Sequence, residues 1–432
     1  MAYTKYSLTP ANNNAAPPDG APEGMLPSAV NDTMRDMMAQ IRDCGDGIRG
    51  GTYTMTAPVI TGGSVSGITD LAIADGGTGA STAAAARTNL GLDGFVNMKN
   101  RIINGAMVID QRNAGASVTP TTSGTYTLDR WSALLSVTSK FSMQQNAGAV
   151  TPPAGFTNYL GCTSLSAYTV GASEFFAVRQ TIEGFNVADL GWGTANAKTV
   201  TLSFWVRSSL TGTFGGAIRN DGNTRSYPYS FTISTANTWE YKTVTIAGDT
   251  TGTWASGNTL GINLTFNLGA GSTVSNTAGS WYAGNFLAPT GSTSVVGTNG
   301  ATFYITGVQL EVGTQATSFE YRQYGTELAL CQRYYQSVFN GTFFIAQTTS
   351  GGYLFPTFSP MRTSPTIAAS AVVNIDNNVS ANFTQSSNNV ANTTPTSTTS
   401  TRVVLSNFTG LTPSGIYTLT NSGGYLLLSA EL

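Results

Sequence analysis

Lys198–Ser209 reads KTVTLSFWVRSS, and its alternation decides the fold class. Val200, Leu202, Phe204 and Val206 fall on one face of an extended strand, because successive side chains point to opposite sides of the pleat. Thr201, Ser203, Trp205 and Arg207 share the other face. Outward from this run the same period returns in WEYKTVTI (239–246), LGINLTFNL (260–268) and ATFYITGVQLEV (301–312). These runs are rich in β-branched and aromatic residues, and clusters of Gly, Asn, Asp and Ser separate them. No helical pattern intervenes between Lys99 and about Phe319, so residues 99–319 read as an antiparallel jelly-roll sandwich.

The flanks read differently. After a junction at 320–324, Thr326 is placed to cap a short helix, with Glu327 in its first turn. Leu328, Leu330, Tyr334 and Tyr335 form the expected packing face of that helix. Beyond Ser337 the pattern is β again and ends in YLLLSAEL, so residues 320–432 read as a β-rich head. Within it the Asn/Ser/Thr tract 374–402 reads as long exposed loops or an edge hairpin. On the other side, residues 1–27 are rich in Pro, Asn, Ala and Gly and read as an extended arm. A helix pattern runs from Ser28 to about Cys44, where Val30, Met34, Met37, Met38 and Ile41 make one apolar stripe and Gly45 and Gly47 stop it. Residues 1–50 are thus an arm and helix. Residues 51–98 form a strand-like stem with no stretch long enough to fold alone. DGGTGASTAAAARTNLGL (75–92) inside that stem lacks the GKS/T ending of a phosphate-binding loop.

Composition limits the chemistry. Charged residues make up 10% of the 432 residues, against roughly 25% in an ordinary domain, while 41% are hydrophobic. The chain therefore has apolar surface for packed cores and leaves its solvation to Ser, Thr, Asn and Gly. With 20 Lys+Arg against 22 Asp+Glu there is no excess of basic charge to match a phosphate backbone, so no nucleic-acid partner is expected. Histidine is absent, which removes the usual general base and the commonest transition-metal ligand together. Cys44, Cys162 and Cys331 are too few and too scattered for a disulfide framework or a zinc site. No run is long and apolar enough to cross a bilayer as a helix. The reading is of a soluble chain without membrane insertion, metal, cofactor or catalytic residues.

The remaining chemistry is that of neutral recognition. A pyranose offers apolar C–H faces and a rim of hydroxyls, which flat aromatics and neutral hydrogen-bonding groups match. Trp205, on the polar face with Arg207, is either a sugar platform or a residue buried between subunits. Trp192, in a Gly-Trp-Gly turn, is placed to protrude, and Tyr227 and Tyr229 flank Pro228 in an expected loop. Asn382 and Phe383 stand for the 374–402 tract as an adaptable tip. Glycoside hydrolysis would need two carboxylates about 5–10 Å apart. Glu174, Glu183, Asp189, Glu240 and Glu320 are available, but no two lie together in sequence, so the reading is non-enzymatic. Asp221-Gly-Asn223 offers one carboxylate on a turn, far short of a calcium site.

Several segments carry a family resemblance. NNNAAPPDGAPEGMLPSAVNDTMRDMMAQIRD (12–43) resembles the virion-attachment segments of tailed-bacteriophage fibre proteins, and GGTGASTAAAARTNLGL (76–92) resembles a motif of their shafts. NRIINGAMVIDQRNAG (100–115) with YTLDRW (126–131), and VQLEVGTQATSFEYRQYGTELALCQRYYQ (308–336), resemble the body and head of phage tail proteins. Through TLSFWVRSS and TWEYKTVTIAGD the middle also resembles jelly-roll carbohydrate-binding modules. The resemblance implies a homotrimeric tail fibre of the virion, assembled in the host cytoplasm. Its arm would meet a tail, collar or baseplate protein, with Met34, Met38 and Ile41 as docking residues, and its stem would be trimeric. Its head would meet host-surface polysaccharide or lipopolysaccharide. A collagen-like repeat and sustained heptads are missing, which implies a short fibre or one segment of a branched assembly. Two alternatives stand beside this: a collar or head fibre that never touches the host, and a surface-polysaccharide depolymerase.

Overall fold

The computed structural model describes residues 98–432 apart from 339–341, 372, 378–381, 386–389, 393–396, 401, 420–423 and 425. Before Met98 it describes residues 30, 34, 35, 37–39, 41, 42, 78, 80, 86, 89 and 90. The chain divides into two units, Met1–Thr82 and Ala83–Leu432. In the first, the described positions between 30 and 42 are helical, and Met34, Met38 and Ile41 are exposed. The expected arm, the glycine stop and nearly all of the expected stem lie outside the described residues.

The second unit is mainly β. One sheet orders its strands β1 (Tyr126–Leu128), β2 (Trp131–Leu135), β5 (Phe175–Glu183), β10 (Leu260–Ala270), β7 (Gly212–Arg219), β8 (Arg225–Ile233) and β12 (Tyr282–Ala283). The facing sheet orders β3 (Phe141–Gln145), β4 (Leu160–Ser164), β14 (Thr302–Val312), β6 (Val200–Ser208) and β9 (Glu240–Ile246). A short parallel pair, β11 (Ser275–Asn276) with β13 (Ala288–Pro289), accompanies them. Pairing within both large sheets is antiparallel, and the chain passes repeatedly from one to the other, giving the jelly-roll sandwich the period-two runs predict. The inward positions of both sheets meet in one core that contains Trp131, Phe176, Phe204, Phe214, Phe266 and Phe303, all fully buried. Cys162 lies in that core and Cys331 in another cluster; both thiols are free, and burial pushes both upward in pKa.

Helix α1 (Tyr324–Gln332) begins two residues before Thr326, so Thr326 is not its cap. The N-cap position is Gln323, whose side chain makes no capping bond. A tertiary contact sets the register instead: the buried Glu327 carboxylate accepts the backbone N–H of Asn104. Tyr334 and Tyr335 fall beyond the helix, and both are buried. The following strands form two further sheets. One is β15 (Tyr335–Val338), β24 (Leu426–Ser429) and β18 (Thr366–Ala369). The other is β20 (Asn382–Thr384), β19 (Asn374–Asp376), β23 (Ile416–Leu419), β16 (Phe343–Ala346), β17 (Gly352–Leu354), β22 (Val403–Leu405) and β21 (Val390–Asn392). The Asn/Ser/Thr tract therefore supplies both edges of this last sheet, with β19 and β20 as a hairpin at one of them.

Asp129, between β1 and β2, is fully buried. Its carboxylate accepts the backbone N–H and the side-chain amide of Gln111 at 2.7 and 2.9 Å. Burial, the largest influence, lifts its pKa from 3.8 to about 6 against the pull of Arg112. The folded chain thus takes up this proton before the unfolded chain does. The stabilisation is fully present below pH 3.8 and lost as pH rises through about 6. Denaturation midpoints of the wild type and Asp129→Asn should diverge over this window, with the wild type gaining up to about 3 kcal/mol relative to the variant on acidification. Parallel curves across pH 4–7 would refute it.

Candidate glycan-binding surface

The outer face of β6 is built by the alternation that buries its inner face. Val200, Leu202, Phe204 and Val206 are sealed in the core, which turns Trp205 and Arg207 outward. The register sets Trp205 between Tyr241 of β9 and Thr306 of β14. The Trp205 and Tyr241 rings lie 5.4 Å apart and inclined at 52°; Trp205 is half-buried and Tyr241 exposed. Thr306 is held under this pair by its hydroxyl, which donates to the Asn158 carbonyl at 2.7 Å.

One row further along, Arg207 faces Tyr304, with its guanidinium 5.5 Å from that ring centroid and its Nε donating to the Asn237 carbonyl at 3.0 Å. Tyr304 stacks on Tyr159 at 5.1 Å, and Tyr159 meets Trp239 at 5.5 Å. Gly161 permits this close layer, because a Cβ there would stand 2.6 Å from that of Ala147 and 2.9 Å from the Tyr304 ring. Tyr241, Thr243 and Thr245 share the outer face of edge strand β9, with Trp239 just before its start, and alternate positions carry the Glu240–Lys242 ion pair at 2.6 Å. A charged pair on an edge strand discourages further strand addition. At the far end, Thr201 and Ser203 are buried, and Thr201 donates to the Gly313 carbonyl. The accessible part is thus an aromatic platform of Trp205 and Tyr241, flanked by Trp239 and the Arg207 cation.

The other sequence candidates do not join this surface. Trp192 does not protrude: it is buried against Trp254 at 4.7 Å and Trp281 at 5.3 Å, and its indole N–H donates to the Lys198 carbonyl. Gly193, at φ +85, turns the chain inward where a Cβ would stand 2.7 Å from the Gly252 carbonyl oxygen. Tyr227 and Tyr229 are not in a loop; they lie on the core face of β8, Tyr227 against Trp281 and Tyr229 donating to the Thr265 carbonyl. Phe383 packs edge-on against Tyr417 at 5.2 Å, so it joins the last sheet's core rather than an exposed tip. Asn382 is in β20, and its side chain lies outside the described residues. Tyr241 and Trp239 were missed, although the alternation of WEYKTVTI already placed them on one face.

The five acids considered for hydrolysis each have partners. Glu174 accepts from Tyr168 and Gly171, and Glu183 from Arg333 and Tyr334. Asp189 pairs with Arg101, Glu240 with Lys242 and two backbone N–H groups, and Glu320 with Arg322 and two backbone N–H groups. Among the described residues, no three His, Cys, Asp or Glu side chains are placed to hold a metal ion.

No family model matches this chain, and no curated protein matches it either. Solved structures do. The enzymatically active domain of tailspike protein 4 from bacteriophage CBA120 is 11% identical over 50% of this chain, with a TM-score of 0.28. The chain spans 22% of that tailspike chain. A putative sugar binding protein from Bacteroides thetaiotaomicron is 14% identical over 50% of this chain and 100% of its own, at 0.28. A family 11 carbohydrate-binding module from a cellulosomal cellulase of Clostridium thermocellum is 13% identical over 46% and 98%, at 0.22. Likenesses at these scores carry no functional argument, so function rests on the residues above.

Proposed function

We propose that this chain is a non-enzymatic, glycan-binding protein of the tail-fibre type, and that it holds a host-surface glycan on the outer face of its five-stranded sheet. The observation that carries this reading is the Trp205–Tyr241 pair, two rings 5.4 Å apart on the outside of the sandwich with the Arg207 guanidinium beside them. Such a surface offers an apolar face to sugar C–H groups and donors to their hydroxyls. In the head's polar tract Phe383 packs against Tyr417, and the proposed glycan site does not rest on that tract. The fibre reading adds a homotrimer, docking of a tail, collar or baseplate protein on Met34, Met38 and Ile41, and residence in the virion. The exposure of those three side chains at helical positions supports the docking part. Weak single-site binding would gain strength from multivalency.

Trp205→Ala should reduce binding to host envelope polysaccharide at least tenfold, about 1.4 kcal/mol, while the fold keeps its stability. Calorimetric titration against purified polysaccharide checks this. Unchanged affinity would remove the platform from the reading, and release of reducing sugar during the titration would replace binding by hydrolysis. Light scattering at micromolar concentration tests the trimer, and a stable monomer would overturn it.

A further inference from the structure

The seven-stranded sheet carries a second surface that the platform does not explain. Phe176, Val178 and Ile182 of β5 point into the core, so Arg179 points outward. Ile218 of β7 is likewise inward, which turns Arg219 out. Strand β10 runs between them, with Thr265 opposite Arg179 and Asn263 opposite Arg219. Arg179, Arg219 and Asn263 line a cavity of about 320 Å³, walled by Leu134, Phe175, Leu260 and Leu287 and edged by Asp221, Asn223 and Asn285.

The polar groups of this cavity are unevenly satisfied. Arg219 is 3% exposed; its Nη1 donates to the Oδ1 atoms of Asn223 and Asn285, which fixes the guanidinium. Its Nε is buried and makes no hydrogen bond. Asn263 is buried as well, and its Oδ1 also has no partner. Arg179 makes one long bond, from Nε to the Ser132 hydroxyl at 3.3 Å. No described carboxylate comes within ion-pairing distance of either guanidinium. Burial first, and the Arg179 charge second, press the Arg219 pKa down to about 9. Two cations placed together, one of them desolvated, are costly unless an anion meets them. A buried acceptor without a donor adds to that cost.

We propose that this cavity binds the carboxylate of an acidic sugar, with Arg179 and Arg219 on the carboxylate and a ring hydroxyl donating to Asn263 Oδ1. The planar guanidinium fork matches a carboxylate, and charge-assisted bonds of this kind are the strong ones. The unpaired acceptor selects a ligand that brings both an anion and a hydroxyl donor, which separates an acidic sugar from a bare inorganic anion. The four apolar walls suit the C–H faces of the ring. This site lies on the opposite sheet from the platform and stands or falls without it.

The test is calorimetric titration of the full chain with trigalacturonate, N-acetylneuraminic acid, the methyl ester of trigalacturonate and inorganic phosphate. At least one of the two acids should bind, and esterification of trigalacturonate, where that acid binds, should weaken it at least roughly tenfold. Arg179→Gln, at a half-buried position, should weaken the acid by a similar factor, whereas Trp205→Ala should leave it unchanged. Arg219→Gln serves as the second variant, scored only if its circular dichroism matches the wild type. Failure of both acids to bind, equal binding of acid and ester, phosphate binding as tightly as the acid, or unchanged affinity in Arg179→Gln would each overturn the assignment. Loss of acid binding in Trp205→Ala would also do so, by moving the ligand to the other sheet.

Discussion

Asn104→Leu should destabilise the sandwich by about 4 kcal/mol, more than any surface change discussed above. Asn104 is fully buried in the segment that enters β1, in the left-handed region at φ +59. Its side-chain amide donates to the carbonyls of Ile109 and Asp129 at 2.8 and 3.0 Å, and its Oδ1 accepts the Ile109 N–H at 3.0 Å. Its backbone also works: the carbonyl accepts the Trp131 indole N–H at 3.0 Å, and the N–H donates to Glu327 of α1. Leucine would leave the Ile109 N–H and the Asp129 carbonyl unpaired, each at about 1–3 kcal/mol, would leave the Ile109 carbonyl with only the Asp129 N–H at 3.3 Å, and would add the left-handed strain of a side chain with Cβ. Asn104→Gly tolerates the backbone angle but lacks the same bonds, so it should cost roughly 1 kcal/mol less than leucine. Urea unfolding followed by tryptophan fluorescence measures both. A loss below 1 kcal/mol for leucine would show that the segment has another hold.

This clasp explains the stretch NRIINGAMVIDQRNAG physically. Asn100 Oδ1 accepts from Ile102 and Leu310, and its amide donates to the Val308 carbonyl. Gly105 leaves room for that same carbonyl oxygen, which a Cβ would meet at 2.2 Å. Asp110 collects the N–H groups of Arg112, Asn113 and Gly115. The sequence motif therefore fastens the sandwich.

Strand periodicity was legible because it is local: the face of β6 that holds Trp205 and Arg207 follows from the residues of β6 alone. Direction relative to the core was also legible there, since one face was wholly apolar. Trp192 and Tyr229 misled for the complementary reason. A glycine-flanked tryptophan says that the chain turns, but only Trp254 and Trp281, some 60 to 90 residues on, decide that it turns inward. Likewise Pro228 suggests a loop, whereas β7 pairs the whole run from Ser226 to Ile233 and buries both tyrosines. The arginine cavity was invisible to periodicity, because Arg179 and Arg219 are 40 residues apart and meet only through the order β5–β10–β7.

Glu431→Gln should cost about 3 kcal/mol, because it leaves a buried guanidinium without its counter-charge. Arg130 is 1% exposed; it pairs with Glu431, donates to the Thr181 carbonyl and lies 3.6 Å over the Tyr334 ring. Arg112 holds the other Glu431 oxygen and covers Tyr335 at 3.6 Å. Beside them Glu183 of β5 accepts from Arg333 at 2.6 Å and from the Tyr334 hydroxyl at 2.7 Å. These contacts join β24 and the end of α1 to the sandwich. Burial alone would raise the Glu183 pKa, yet the Arg333 and Tyr334 hydrogen bonds hold it below the ordinary value. Its stabilisation is present above the unfolded carboxylate range and is lost as pH falls through the folded value, so acid loosens this joint. The double replacement Arg130→Met with Glu431→Leu should recover part of the single-variant loss, since it also removes the buried Arg130 charge, while Arg112 keeps only Asp129 at 4.0 Å. Arg333→Ala, at a side chain 37% exposed, should cost no more than about 1 kcal/mol. Denaturation midpoints and protease cleavage between residues 313 and 335 measure all three. A double variant as unstable as Glu431→Gln would mean that the ion network itself, rather than the filled space, holds the C-terminal strands in place.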